Sequence, residues 1–220
     1  MTNINFPDSP SDGDRFGEFI FNSAKQVWDL NSVAAPNVEN AIQASGGDFV
    51  IDETIYNVLY RYHVFTNTGP FSVSSLGDYN FVDYLIVAGG GGGGNTGYGG
   101  GGGAGGLVLG TRLVSTTDYE VTVGGGGALG PTNEQQGSNG NNSEAFGLTA
   151  IGGGGGGSYS ETAGVDGGSG GGTNARNNSA VGASGELNQG NSGGGAIFIQ
   201  GTTNSELASG GGGGAGEAGG

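Results

Sequence analysis

Few residues in this chain of 220 could take part in catalysis. His63 is the single histidine, and there is no cysteine. A Ser-His-Asp arrangement would depend on His63 alone, and this residue lies inside a strand-like segment, between aromatic residues, rather than in a loop. The missing cysteines exclude disulfides, thiolate metal sites and a cysteine nucleophile. We interpret His63 as a structural residue of its strand.

A metal site in this chain would have to be built from oxygen ligands. Asp8, Asp12 and Asp14 form an acidic cluster, which we interpret as a solvated turn because turn formers surround it. Asp166 resembles a calcium-binding Gly/Asp repeat, but the pattern occurs once and out of register. We expect no metal and no cofactor.

The sequence matches two further kinds of active site only weakly. GxGxxG matches abound, but none is followed by Lys-Ser or Lys-Thr, so they do not predict a phosphate-binding loop. A glycosidase pair of carboxylates stays open as an alternative, although no acidic residue adjoins an aromatic-rich segment that would indicate a cleft. We therefore predict no catalytic residue and no enzymatic activity.

The charge balance limits the partners of the protein. Twenty acidic residues oppose five basic ones, for a net charge of −15. Nucleic acids and anionic membranes are bound by clustered Lys and Arg, which this chain lacks. No apolar run approaches the ~18 residues of a membrane-spanning helix, and the first residues lack the basic and apolar regions of a secretory signal. We predict neither nucleic-acid binding nor membrane insertion.

Glycine is concentrated in the later part of the chain. Residues 81–220 contain fifty of the fifty-six glycines. A collagen helix requires a strict Gly-X-Y register and much proline, whereas this chain has five prolines and no such register. Apolar segments separate the glycine runs, so the chain has a core to bury and is not simply disordered.

The glycine runs adjoin apolar segments in a repeated order. Phe81–Ala88 leads into Gly89–Gly94, and Phe146–Ile151 leads into Gly152–Gly157. Such runs are either flexible tethers or extended helices with three residues per turn that pack through backbone hydrogen bonds. Seven runs favour packed helices, because each backbone group can then find a partner. We expect dihedral angles near those of polyproline II in both six-glycine runs.

The N-terminal residues form a small module of their own. Phe16 and Phe19 belong to a first strand, and Gln26–Leu30 forms a return strand that contains Trp28. Such a hairpin buries too little surface to be stable alone, so it must pack on its neighbours, on other copies or on a partner protein. After it, Pro36 allows two helical turns over residues 37–44. Residues 49–65 are strand-like, and Tyr56–Phe65 alternate with the period of two of a strand.

The predicted fold is mostly β, in three parts. Residues 1–31 form the N-terminal β-hairpin module, and residues 32–55 form a connector. Residues 56–220 form a β-sandwich-like domain merged with packed polyglycine-II-like helices. The chain stops inside a glycine run, at Gly219-Gly220, so we expect this domain to continue beyond the given C-terminus.

Several motifs resemble the glycine-rich domain of phage tail-fibre proteins. They are His63-Val64-Phe65-Thr66 with Gly69-Pro70-Phe71, then Val82-Asp83-Tyr84-Leu85-Ile86-Val87-Ala88 before its glycine run, then Tyr119-Glu120-Val121-Thr122-Val123. The resemblance covers about residues 60–157. The opening, with Phe6-Pro7-Asp8 and Val27-Trp28-Asp29, resembles a module near the N-termini of structural proteins of marine and cyanobacterial phages. A more distant resemblance is to the extracellular glycine-rich domain of the anaplastic lymphoma kinase group, where glycine helices pack beside a β-sandwich.

The resemblance implies a structural protein of the phage virion, most simply a homotrimeric tail fibre that attaches to the host. The N-terminal module would bind a tail adaptor or nozzle protein through Phe6, Phe16, Phe19 and Trp28. Polar loops would contact a host-surface glycan or protein, and these loops are Asn133–Asn142, Ser158–Val165 and Thr173–Gln189. The candidate contact residues are Asn139, Asn141, Tyr159, Asn174, Arg176 and Asn188.

Two other classes of protein remain open. A capsid (head) fibre or decoration protein would share the architecture and attach to the head instead of the tail. A bacterial surface adhesin is the other alternative, and the missing secretory signal argues against it.

Overall fold

The structure is a computed structural model that describes residues 15–16, 19–22, 27–30, 41–55, 58–95, 98–131, 135–160, 163–177, 181–200 and 205–220, the first three ranges by their backbone alone. Strands in small antiparallel sheets dominate it, with one 3₁₀ turn, η1 (Ala175–Asn177), among the described residues. The strands are β1 (Arg15–Phe16), β2 (Phe19–Asn22), β3 (Val27–Leu30), β4 (Gln43–Ser45), β5 (Phe49–Ile55), β6 (Val58–Val64), β7 (Gly69–Ser75), β8 (Phe81–Val87), β9 (Leu107–Leu113), β10 (Asp118–Val121), β11 (Ser143–Ala145), β12 (Leu148–Ala150), β13 (Ile197–Gln200) and β14 (Ser205–Ala208). No helix in these ranges is long and apolar enough to cross a bilayer.

The N-terminal module is a three-stranded antiparallel sheet in the order β1-β2-β3. The return strand predicted around Trp28 is confirmed, because Phe21 of β2 pairs with Trp28 of β3. Phe6 and the side chains of Phe16, Phe19 and Trp28 lie outside the described residues, so their anchoring role stays a prediction.

The helix expected over residues 37–44 is wrong at its described end. Gln43–Ser45 forms strand β4, which pairs with β7 at the edge of the sheet β10-β7-β4. A partner strand offers these residues backbone hydrogen bonds and apolar contacts that an isolated two-turn helix lacks. Ala44 packs against the core that contains Phe71 and Val73.

Two further antiparallel hairpins are β5–β6 and β8–β9. The strand character predicted for residues 49–65 is confirmed in β5 and β6, which pair from Phe49 with Val64 to Ile55 with Val58. In β8–β9 the pairing runs from Phe81 with Leu113 to Val87 with Leu107. Alternate residues of β8 are buried or partly buried, because one face of this hairpin covers the core.

Phe146 joins the two parts of the core. One part contains Ile86, Ala88, Ala145 and Ala150, and Phe146 packs against it. Phe146 also packs against the other part, and its ring centroid lies 6.0 Å from that of Phe71. The ring centroids of Tyr84 and Tyr119 lie 6.0 Å and 5.1 Å away.

The apolar segment Phe146–Ile151 is strand only over Leu148–Ala150, which is β12. Phe146 and Gly147 form the turn between β11 and β12, with φ angles of 56° and 75°. A two-residue hairpin loop with two positive φ angles matches the right-handed twist of its strands. The left-handed conformation is unfavourable for phenylalanine, and the ring contacts in the core offset that cost.

The glycine runs are ordered and pack as extended helices. Gly89 and Gly92 donate hydrogen bonds to the carbonyls of Asn141 and Ser138, and their own carbonyls accept from Gly153 and Gly156. The bonding thus repeats every three residues, which is the repeat of a polyproline II-type helix. Within the described residues, glycines have left-handed φ angles only at positions 46, 47 and 147, all outside the runs. The prediction of packed helices, rather than tethers, is confirmed.

We call the packed extended segments the glycine bundle. They are residues 89–94, 99–106, 124–130, 137–142, 152–157, 164–173, 181–185, 190–196 and 210–214. Gly152–Gly157 is its central run and is buried throughout. Its backbone bonds to residues 89–92, 100–103, 137–140 and 165–172, so several neighbours fix its position.

Candidate functional site

The hydrogen-bond pairing of the glycine bundle places many of the connections between its segments at one end. Residues 89–94, 124–130 and 152–157 lead away from the strands, and residues 99–106 and 137–142 return, because the first set bonds antiparallel to the second. Gly94 bonds to Gly100, and Gly157 bonds to both Gly100 and Gly172. The described connections beyond this level form what we call the loop end, comprising residues 95, 98, 131, 135–136, 158–160, 163, 174–177, 197–200 and 205–209.

Three exposed side chains meet at the loop end. The guanidinium of Arg176 lies 4.5 Å from the ring centroid of Tyr159 and 6.0 Å from that of Tyr98. Its Nη1 donates to the hydroxyl of Tyr159 at 3.3 Å. Tyr159 is 49% exposed and Tyr98 is 44% exposed. A cation between two rings offers an outside partner both a charge and flat apolar surfaces.

The backbone holds this cluster in place. The carbonyl of Tyr98 accepts hydrogen bonds from the Ala175 amide at 3.2 Å and from the Ser209 hydroxyl at 2.7 Å, which ties three connections together. The side-chain oxygen of Asn174 accepts from the amide of Arg176 at 2.9 Å, as a cap does at the start of a helical turn. Arg176 is the middle residue of η1, and η1 contacts both β13 and β14, so the turn that carries this side chain is supported by the β13–β14 sheet.

The predicted contact residues separate into two groups. Tyr159, Asn174 and Arg176 lie together at the loop end, and Tyr98 joins them. Sequence reasoning missed Tyr98, although a large aromatic residue between two glycine runs was an available signal. Asn174 is fully buried, so it supports the turn that carries Arg176 and offers no surface to a host.

Asn139, Asn141 and Asn188 lie elsewhere, which corrects the placement expected for them. Asn139 and Asn141 belong to a packed segment of the glycine bundle, where the side chain of Asn139 accepts from Gly155 N at 2.9 Å and the carbonyl of Asn141 accepts from Gly89 N at 3.0 Å. Asn188, with a φ of 64°, lies in the turn 186–190 at the opposite end, beside the strands. Only the tertiary register reveals that polar loops of similar composition lie at opposite ends.

The residues considered for chemistry have structural contacts. His63 Nδ1 lies 2.8 Å from the carbonyl oxygen of Gly46, and its ring meets Phe71 edge to face at 5.2 Å. Asp166 accepts a hydrogen bond from Ser184 N at 2.6 Å, between two segments of the glycine bundle. In the described part of the chain, no three His, Cys, Asp or Glu residues are grouped so as to hold a metal ion. The Asp8, Asp12 and Asp14 cluster lies outside that part.

Two carboxylates are fixed by local hydrogen bonds. Asp48 accepts from the backbone N–H and hydroxyl of Thr66 and from Asn67, and these bonds, that of the Thr66 N–H first, lower its pKa to about 2. Asp52 accepts two hydrogen bonds of 2.7 Å from Arg61, which lower the pKa of Asp52. Both groups stabilise turns and strands on the surface and lie outside any enclosed cavity.

A groove of about 460 Å³ separates the two hairpins. Residues of β6, such as Tyr62 and Val64, line one side, and β8 lines another. Phe71 and Phe146 of the core also contribute to its surface. The groove is lined mostly by apolar side chains and backbone, which suits packing better than acid–base chemistry.

The comparisons with known proteins agree with this architecture. Residues 66–220 match the family model described as "Glycine-rich domain". No match was found among curated proteins or among solved structures. Because the matched region spans β7 to the last glycines and includes the whole glycine bundle, the chain belongs to the glycine-rich domain family.

Proposed function

We propose that this protein is a structural component of a phage virion, a tail fibre whose loop end contacts the host surface. The observation that supports this proposal is the loop end itself. A glycine bundle bonded through its backbone collects many connections on one side, where exposed Tyr98, Tyr159 and Arg176 meet. Loops on such a scaffold can change sequence without disturbing the bonds that hold it.

The mechanism is binding without catalysis. Arg176 supplies a positive charge on a chain of net charge −15, and the two tyrosine rings supply apolar faces. A host glycan offers both kinds of partner, since its hydroxyl or acidic groups bind the guanidinium and its C–H faces pack on rings. The N-terminal sheet β1-β2-β3 would attach the chain to a tail adaptor or nozzle protein, and the fibre would be a homotrimer.

The test combines location and adsorption. Phage particles carrying Tyr159→Ala with Arg176→Ala should incorporate the protein normally and adsorb to host cells at least about tenfold more slowly, as loss of about 1.4 kcal/mol of binding implies. Asn188→Ala, at the opposite end of the glycine bundle, is the matched control and should leave adsorption unchanged. Unchanged adsorption of the double variant would refute the contact role, and absence of the chain from purified wild-type particles would refute the virion assignment.

A further inference from the structure

The hairpin β5–β6 exposes an apolar face. Residues directly paired across two antiparallel strands lie on the same face, so the pairs Phe49–Val64, Ile51–Tyr62 and Glu53–Tyr60 share one side. All of these except Glu53 are apolar or aromatic. The apolar side chains exposed by at least a third on this face are Phe49, Ile51, Ile55, Tyr60, Tyr62 and Val64. The opposite side carries the Asp52–Arg61 ion pair, His63 and Thr54, with two exposed apolar residues, Val50 and Leu59, on the same side.

The hairpin β8–β9 exposes a second apolar face. One side of this hairpin, with Tyr84, Ile86 and Val108, packs on the core. The outer side carries the exposed residues Phe81, Leu85, Val87, Leu109 and Leu113. Leu109 is 68% exposed although it lies in the middle of a seven-residue strand. Nothing in the described part of the chain covers this side.

The exposed area is large for a protein that functions as a single chain. The eleven side chains leave on the order of 1,000 Å² uncovered, taking ordinary side-chain areas, whereas one partner in a standard interface buries about 800 Å². A two-stranded hairpin is also marginal in water unless its apolar face is packed. Both considerations predict that another protein surface covers these faces.

The distribution of charge indicates what kind of protein surface covers these two faces. The whole chain carries a net charge of −15, yet these two faces contain only Glu53 and Asp83 among their paired residues. Asp83 already accepts a hydrogen bond from the hydroxyl of Thr111 at 2.6 Å. Two copies that meet through these faces bring few like charges together, whereas most other contacts would oppose acidic surfaces.

We infer that the apolar faces of β5–β6 and β8–β9 form the interface between this chain and a second copy of itself. This inference rests on the proposed oligomeric fibre and assigns its contact surface. It also separates the molecule into an end that associates, near the strands, and a loop end that remains free for another partner.

The mass of the full-length chain in solution tests the inference. At about 20 μM, the wild type should have the mass of two or more chains, and Ile51→Lys with Leu109→Lys should reduce it to that of one chain while the circular dichroism spectrum is kept. Leu187→Lys, at a residue 80% exposed in the turn beside the strands, is the control and should leave the mass unchanged. A monomeric wild type refutes the inference. An oligomer that persists in the double variant also refutes it, while leaving the oligomeric fibre intact.

A spin label gives a second readout that does not depend on the lysine variants. The chain has no cysteine, so Glu53→Cys and Thr54→Cys each provide a single labelling site, on opposite faces of β5. The label at position 53 should be immobile and the label at position 54 mobile. Equal mobility at the two positions would refute the interface. Host adsorption is measured separately, so failure of the interface and failure of the attachment function are distinguishable.

Discussion

The glycine bundle and the strands beneath it are stabilised in opposite ways within one chain. In the bundle, backbone amides and carbonyls bond directly between neighbouring extended segments, and the absence of side chains lets them approach. In the strands, apolar side chains such as Phe71, Val73 and Ile86 fill two joined cores. Adding a methyl group should therefore damage the first region, and removing a side chain should damage the second.

The largest expected effect on the free energy of unfolding is in the strands, where apolar side chains form the core. Phe71 is 7% exposed and contacts the rings of His63 and Phe146, so Phe71→Ala should lower the free energy of unfolding by about 4 kcal/mol. For a chain of this length that corresponds to a decrease of roughly 8–16 °C in Tm, measured by calorimetry. Leu129→Ala, at an exposed position, is the control. An equal loss in both variants would contradict a core centred on Phe71.

The next effect distinguishes glycines within the bundle. A Cβ on Gly154 would overlap the carbonyl oxygen of Val165, so Gly154→Ala should cost about 3 kcal/mol, or roughly 6–12 °C in Tm. A Cβ on Gly91 would overlap the carbonyl of Gly154, and Gly91→Ala should act in the same direction.

Gly90→Ala is the matched control for these variants. The nearest atom to a Cβ on Gly90 is the Gly103 carbonyl oxygen at 3.5 Å, an ordinary contact, so this variant should keep the wild-type Tm within about 2 °C. Gly126→Ala, with its nearest atom at 3.6 Å, should behave likewise. If Gly90→Ala and Gly91→Ala had the same Tm, the bundle would not be packed as described.

A smaller effect concerns side chains that replace backbone partners in the bundle. Asn139 accepts a hydrogen bond from the buried Gly155 N, and Asn142 accepts one from Gly152 N, both at 2.9 Å. Asn139→Ala leaves a buried amide without its partner and should cost about 1.5 kcal/mol, or roughly 3–6 °C in Tm. Asn141→Ala, which keeps the backbone carbonyl that accepts from Gly89, should cost less. The reverse order in calorimetry would contradict this assignment.

The smallest effect is a pH dependence at the surface. The pKa of Asp48 is about 2 in the folded chain, below its ordinary value of 3.8, so the ionised carboxylate stabilises the fold above pH 4 and this contribution is lost as the pH falls towards 2. Asp48→Asn should therefore lower Tm slightly at pH 7, and the difference should shrink as the pH falls from 4 to 2. Asp78→Asn, in the turn before β8, is the comparison. A constant difference between wild type and Asp48→Asn from pH 7 to pH 2 would contradict the role of the charge.

Sequence reasoning succeeded where a local pattern has one stable outcome. The period-two alternation of residues 58–64 has an apolar and a polar side only as a strand, and β6 follows it. Long glycine runs between apolar segments predicted packed extended helices, because a chain that must satisfy every buried backbone group has few other arrangements. The N-terminal strands around Phe19 and Trp28 were likewise local features.

The errors came from partners that are distant in the sequence. Gln43–Ser45 has little intrinsic preference, and β7, about thirty residues later, decides that it is a strand. Phe146 adopts a left-handed conformation because its ring contacts Phe71 and Tyr119, which no local pattern reveals. At the loop end, Asn174 was expected at the surface and is buried beneath the turn of Arg176.

The sequence by itself determined the composition of each region, and with it the mode of stabilisation: backbone bonding where glycine dominates and side-chain packing where apolar residues alternate. Only the tertiary structure decided which run lies at the centre, which connections share the loop end, and which hairpin faces remain uncovered. The physical reason is that glycine runs are nearly identical to one another, so their pairing is chosen by the lengths of the connections and by the strands that fix the register at one end.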